Sequence, residues 1–174
     1  MREKIIILAT LHRSEGVNAG EKTVERTAVR AVIQHGRQLL MIHSANTGDY
    51  KFPGGGGQAG ETHAQTLARE VAEECSMTLS HMGEEIGAVI EYDINTETGY
   101  DMFKMTSYYY RCEVTDVSGA QRLDDYERAL GFTPVWVDIQ AAIRVNKSLM
   151  ESVNAPKWLR REIFVLEYLR ENFN

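Results

Sequence analysis

Glu70, Glu73 and Glu74 crowd three carboxylates into five residues. At about 100° per residue on a helix, Glu73 falls about 60° to one side of Glu70 and Glu74 about 40° to the other. Each like-charge pair at this spacing costs about 0.2–0.5 kcal/mol. Arg69, four residues before Glu73, is the one opposite charge this stretch offers. Ala64, Leu67, Ala68, Val71 and Cys75 fill the neighbouring arc, which must be the buried one. The acids therefore border the core instead of facing open water. Such crowding becomes favourable around a hard divalent cation, because Mg²⁺ takes oxygen ligands and keeps several waters. Taken alone, the pattern also fits a solvated acidic face.

The elements around the acids sharpen the reading. Gly54 to Gly57 and Gly60 precede the helix, and glycine-rich backbone entering a helix can cradle phosphate. The lysine of a P-loop is missing. Thr62-His63-Ala64-Gln65 fits a capping box, which predicts a helix from Thr62 to Cys75. Upstream, Ile5–Leu11 reads as a strand and residues 14–23 as a loop. Arg26–Gln34 and Gln38–His43 read as strands flanking a hairpin-like break at His35-Gly36-Arg37. Tyr50–Phe52 is a short extended piece that Pro53 halts. Downstream, Gly87–Ile94 and Met102–Val114 are strands joined by a turn at 95–101, and residues 115–131 are mixed. Phe132–Val137 is a strand, placed at an edge by Pro134. Asp138 caps a helix to about Lys147. Asn154 caps another, with Pro156 in its first turn and Leu159, Ile163, Leu166, Leu169 and Phe173 along one side. This order predicts an α/β (α+β) fold, a mixed sheet with helices on both faces.

Loop and helix together resemble the Nudix box, G-x5-E-x7-R-E-U-x-E-E-x-G-U with U a bulky aliphatic residue. Here Gly55 leads to Glu61, then to Arg69-Glu70-Val71-Ala72-Glu73-Glu74-Cys75-Ser76-Met77. Ser76 stands where the family has Gly, so an altered helix exit with retained metal binding is expected. Phe52-Pro53-Gly54 looks like the family's lead-in. The resemblance implies a Nudix-type α/β/α sandwich and one domain over residues 1–174, with 1–23 as an extension. It also implies hydrolysis of a nucleoside diphosphate linked to another group, giving a nucleoside monophosphate and the phosphorylated second group. By the same resemblance, Glu70, Glu73, Glu74 and the Gly55 carbonyl hold Mg²⁺ or Mn²⁺. Arg69 orients the acids, and Glu61, with Gly54, braces the loop. Glu127 is the candidate general base, with Asp124 and Asp125 as rivals. Tyr50, Phe52 and Tyr92 are candidates for the substrate's base, set against ordinary packing roles. His63, on the carboxylate arc two turns earlier, is a weaker candidate for a phosphate.

Composition narrows the partners. Lysine and arginine number 19 against 25 acids, a net charge of −6, which gives no general attraction for nucleic acid or an anionic membrane. An anionic substrate therefore needs a local cation. Arg26, Arg30, Arg37 and Lys51 offer a modest basic surface, so an RNA-end substrate ranks low. The five histidines show no paired spacing for zinc. Two cysteines, Cys75 and Cys112, read as free thiols in a reducing, cytoplasmic setting, and no apolar stretch approaches a membrane span. The resemblance implies a nucleoside triphosphate, ADP-ribose or sugar nucleotide, or dinucleoside polyphosphate as the expected substrate, and the N-terminal strand leaves room for a homodimer. The alternative is a non-catalytic Nudix-fold module that senses a nucleotide.

Overall fold

The computed structural model describes residues 5–15, 22–95, 99–117 and 120–172. Its elements are β1 (Ile7–His12), β2 (Thr23–His35), β3 (Gln38–Ser44), β4 (Tyr50–Lys51), α1 (His63–Cys75), β5 (Met77–Ile94) and β6 (Met102–Val117). Then follow α2 (Asp125–Leu130), β7 (Phe132–Asp138), α3 (Ile139–Met150) and α4 (Leu159–Asn172). The strands form a mixed sheet in the order β1-β5-β6-β2-β3-β4, with β7 paired to β3. Alternation sends successive side chains to opposite faces. Val29, Ala31, Ile33, Leu40 and Ile42 meet Leu67, Val71 and Cys75 of α1. Val32, Leu39, Met41, Val89 and Tyr109 meet Ala142 and Ile143 of α3 and Val165, Leu166 and Leu169 of α4. Burial on both faces explains why Leu39 to Ile42 is an unbroken apolar run. The result is the α/β/α sandwich with a mixed sheet between helices.

One irregularity of the sheet creates room for the site. β2 pairs in parallel with β6 from Thr23↔Met102 to Ile33↔Cys112. Its hairpin with β3 closes only at Gln34↔Leu39 and His35↔Gln38, then splays. The segment after β4 fills the gap: Ala31 N–H donates to Pro53 O at 2.9 Å and Val29 N–H to Gly55 O at 3.0 Å. The glycine run thus lies along β2, beneath α1.

Several boundaries differ from the sequence expectation. β5 begins at Met77, not Gly87; its pairing with β6 shifts register at four places before Gly87, and each bulge breaks the two-residue period. β6 extends to Val117, and a short helix, α2, occupies part of the mixed stretch. Asn154 does not cap the last helix, which starts at Leu159. Ala155 precedes Pro156 and is steered away from helical angles, and Leu159 N–H closes a turn on Pro156 O. The strand expected at Ile5–Leu11 runs Ile7–His12 and joins β5 in parallel at the sheet edge. Phe173 and parts of the two loops, 16–21 and 96–98, lie outside the described residues. Ser76 does not alter the helix exit: it adopts the left-handed conformation itself (φ 56°, ψ 31°), the one non-glycine described residue with positive φ. Among the described residues no helix is long and apolar enough to cross a membrane.

Candidate active site

α1 begins as its sequence dictates. The Thr62 side chain accepts from Gln65 N–H, and the Gln65 side chain accepts from Thr62 N–H, closing the capping box. Glu61 just before it braces the loop: its Oε2 accepts from Gln58 N–H at 2.8 Å and Thr66 Oγ1 at 3.1 Å. Arg69 binds both Glu61 oxygens, at 2.8 and 2.9 Å. The Arg69 bond first, then the Gln58 amide, holds the Glu61 carboxyl down at about 2. The same guanidinium reaches Glu70 at 2.7 Å, Glu73 at 3.2 Å and the Gly56 carbonyl at 3.1 Å. It serves as the hub between loop and helix.

Two of the three helix acids turn inward. Glu70 is 8% exposed and Glu74 fully buried, whereas Glu73 stays half-buried on Arg69. Glu127 of α2 approaches from the other side. One carboxylate oxygen each of Glu70, Glu74 and Glu127 lies within 4.8 Å of the other two. Burial, then the Glu74 charge, pushes the Glu70 carboxyl up against the pull of Arg69. Burial also pushes Glu127 up, and Glu74 adds to it, while a hydrogen bond from the Asp124 amide opposes.

Backbone completes the wall. Gly54 N–H donates to Glu74 Oε2 at 2.7 Å, and its carbonyl accepts from Arg30. Gly54 sits at φ 132°, a conformation that side-chain-bearing residues rarely adopt. Gly55 abuts Glu70 so closely that a Cβ there would sit 2.6 Å from Glu70 Oε1. The Gly55 carbonyl already accepts from Val29 N–H, which leaves one lone pair.

These residues fit a divalent cation. The donors are hard oxygens without thiol or imidazole, which suits Mg²⁺ or Mn²⁺. Two of the three carboxyls are held above their ordinary range, a cost that a cation would relieve. Besides Arg69 on Glu70, a second positive charge reaches the trio: Lys51 Nζ lies 2.9 Å from Glu74 Oε1 and 4.1 Å from the Phe132 ring centroid.

Other residues singled out from sequence stand as follows. Asp124 caps α2, and Asp125 pairs with Arg128 in solvent; neither joins the trio. Phe52 is fully buried with its ring edge-on to Tyr109, and Tyr50 leans on His43. Tyr92 stacks on His12 between β5 and β1. His63 is hydrogen-bonded to Tyr110 at 2.8 Å and lies against Tyr108. Lys51 and Arg30, read as basic surface, are instead drawn in to Glu74 and Gly54. Strand alternation carried the signal for Lys51: with Phe52 facing α4, Lys51 must face α1.

Comparison with known proteins agrees with this geometry. The NUDIX domain family matches residues 24–161, most of the chain. The structure is similar to a NUDIX hydrolase from Nitrosomonas europaea, with a TM-score of 0.55 and 18% identity, covering 82% of this chain and 90% of that one. A MutT NUDIX hydrolase from Burkholderia pseudomallei gives a TM-score of 0.48 at 18% identity, over 67% of this chain and 85% of that one. The E. coli ORF135 protein gives 0.46 at 20% identity, over 90% and 99%. A comparison with curated proteins finds no match. The likeness to the Nitrosomonas europaea structure speaks for the fold alone, and the family match speaks for descent: this chain belongs to the NUDIX domain family.

Proposed function

We propose that the chain hydrolyses the phosphoanhydride of a nucleoside diphosphate linked to a second group, releasing a nucleoside monophosphate and the phosphorylated second group. The observation that carries this reading is the convergence of Glu70, Glu74 and Glu127 within 4.8 Å beside the Gly54–Gly55 backbone. Glu70 and Glu74 would hold Mg²⁺ or Mn²⁺, with the spare lone pair of the Gly55 carbonyl beside them. Glu73, half-exposed on Arg69, would join through water. When bound, a divalent cation neutralises the anhydride and acidifies a water. Glu127 would take the proton of the attacking water, and a carboxyl pushed up by burial suits that task. Arg69 keeps three carboxylates aimed while substrate charge arrives. The substrates we would test are nucleoside triphosphates, ADP-ribose, sugar nucleotides and dinucleoside polyphosphates.

Residues 1–174 are read as one catalytic unit in which 1–23 is an extension. Exposed Ile5, Ile6 and Ile7, running into the start of β1, support a homodimer contact there. Two free, buried cysteines support a reducing compartment such as the cytoplasm.

The test is a panel of those four substrate classes with Mg²⁺ and Mn²⁺, with products identified by mass. Wild type should release a nucleoside monophosphate from at least one class. Glu74→Gln should cut kcat by about a hundredfold or more, the scale of losing a group that organises developing charge. No cleavage with either metal would overturn the reading, and binding without turnover would point to a sensor.

A further inference from the structure

The proposed site depends on the path of residues 50–55, which β3 pairs at its start and four further elements hold. Asn146 of α3 accepts from Tyr50 N–H at 2.9 Å and donates to its carbonyl at 2.8 Å. Ala31 of β2 holds Pro53 O, and Glu74 of α1 holds Gly54 N–H. The fourth hold comes from α4, where Glu162 Oε2 accepts the Phe52 N–H at 2.9 Å in the interior. The amides of Phe52 and Gly54, on either side of the bend at Pro53, are thus each held by a carboxylate, one from α4 and one from α1.

We infer that Glu162 is a positioning residue for the cation site. It acts through Phe52, setting where the Gly54–Gly55 backbone stands against Glu70 and Glu74. The inference rests on the proposed function.

The chemistry explains why a charged side chain does this. Glu162 is fully buried, which is costly without pairing. Arg161 supplies the pairing to Oε1, at 3.1 Å from Nε and 2.7 Å from a terminal nitrogen. Its other terminal nitrogen lies 2.6 Å from Glu91, which also takes Arg13 at 2.9 Å. Oε2 is left to the Phe52 amide, and a charge-assisted bond there is roughly twice as strong as a neutral one. Glutamine could not replace it, since its NH₂ would face either Arg161 or the Phe52 N–H, donor against donor. The tolerance downstream is small: a Cβ on Gly54 would run into the backbone carbonyl oxygen of Val29.

Glu91 provides a matched control. It is equally buried and also pairs Arg161, but its second ion pair goes to Arg13 and not to residues 50–55 or the trio. Wild type, Glu162→Gln, Glu162→Asp and Glu91→Gln should be compared for melting temperature, for Mn²⁺ affinity by electron paramagnetic resonance, and for kcat and KM. The expected result is comparable loss of stability in Glu162→Gln and Glu91→Gln. Mn²⁺ affinity should fall about tenfold or more only in the Glu162 variants, the usual scale for residues that orient metal ligands. Unchanged affinity in those variants, or an equal loss in Glu91→Gln, overturns the inference. Should the Glu162 variants fail to fold, amide exchange in the wild type decides: the Phe52 amide should exchange as slowly as the core strands, and rapid exchange overturns the clamp. Wild type that neither binds Mn²⁺ nor hydrolyses anything would instead strike the proposed function itself.

Discussion

A cysteine reacts as its thiolate, so burial decides its chemistry. Burial pushes the Cys112 thiol up to about 12 and, with the Glu74 charge beside it, the Cys75 thiol further still. Cys112 then carries roughly a thousandfold less thiolate than an ordinary cysteine at pH 8. Iodoacetamide at that pH should label neither residue in the native protein, and both promptly after guanidinium is added. Rapid native labelling would show that the core around Cys75, directly under Glu74, opens readily. That core matters for the site, since Leu67, Val71 and Cys75 fix the side of α1 from which Glu70 and Glu74 emerge.

At the scale of elements, α1 meets opposite demands at its two ends. Its start is satisfied by the Thr62–Gln65 box. Its end turns through Ser76 in a left-handed conformation that costs an L-residue about 1 kcal/mol or more. Ser76→Gly should remove that cost and raise the melting temperature by about 2–4 °C. Calorimetry checks this, and an unchanged or lower value would mean that packing at this nearly buried position outweighs the backbone gain. Of the arc read as buried only Leu67, Val71 and Cys75 are, Ala64 and Ala68 being exposed, but much of α1 was legible in sequence because local rules set the cap and the carboxylate arc within a few turns. The start of β5 was not, because its bulges answer to β6, a partner remote in the chain. Alternation turns Lys51 toward α1 but does not pair it with Glu74, and Glu127 was expected at the site only through the family resemblance. No spacing rule links a lysine on a two-residue strand, a helix acid and a capping-box glutamate of another helix.

At the scale of the whole molecule, ion pairs tie the layers together and set its response to acid. Glu61 is held at about 2. Burial alone would raise Glu91 and Asp93, yet Arg161 and Arg13 outweigh it at Glu91, and Lys157 and Ser14 at Asp93, so both are held low. A carboxyl lowered in the folded state stabilises the fold above its unfolded pKa and loses that contribution as pH falls through the folded value. The melting temperature should therefore fall steeply as pH drops from about 4.5 toward 2. Salt should blunt only the exposed part of that fall, because buried pairs are poorly screened. A flat profile across this range would contradict the pairing.

The bond from Glu162 to Phe52 spans 110 residues, and this bears on how the protein is made. Leaving the ribosome, the chain releases α1 with its glycines and acids long before α4 exists. The parallel partner of β2 is also still to come. A nascent chain therefore carries the full motif without the fold that aims it, and the site can be aimed only after α4 docks.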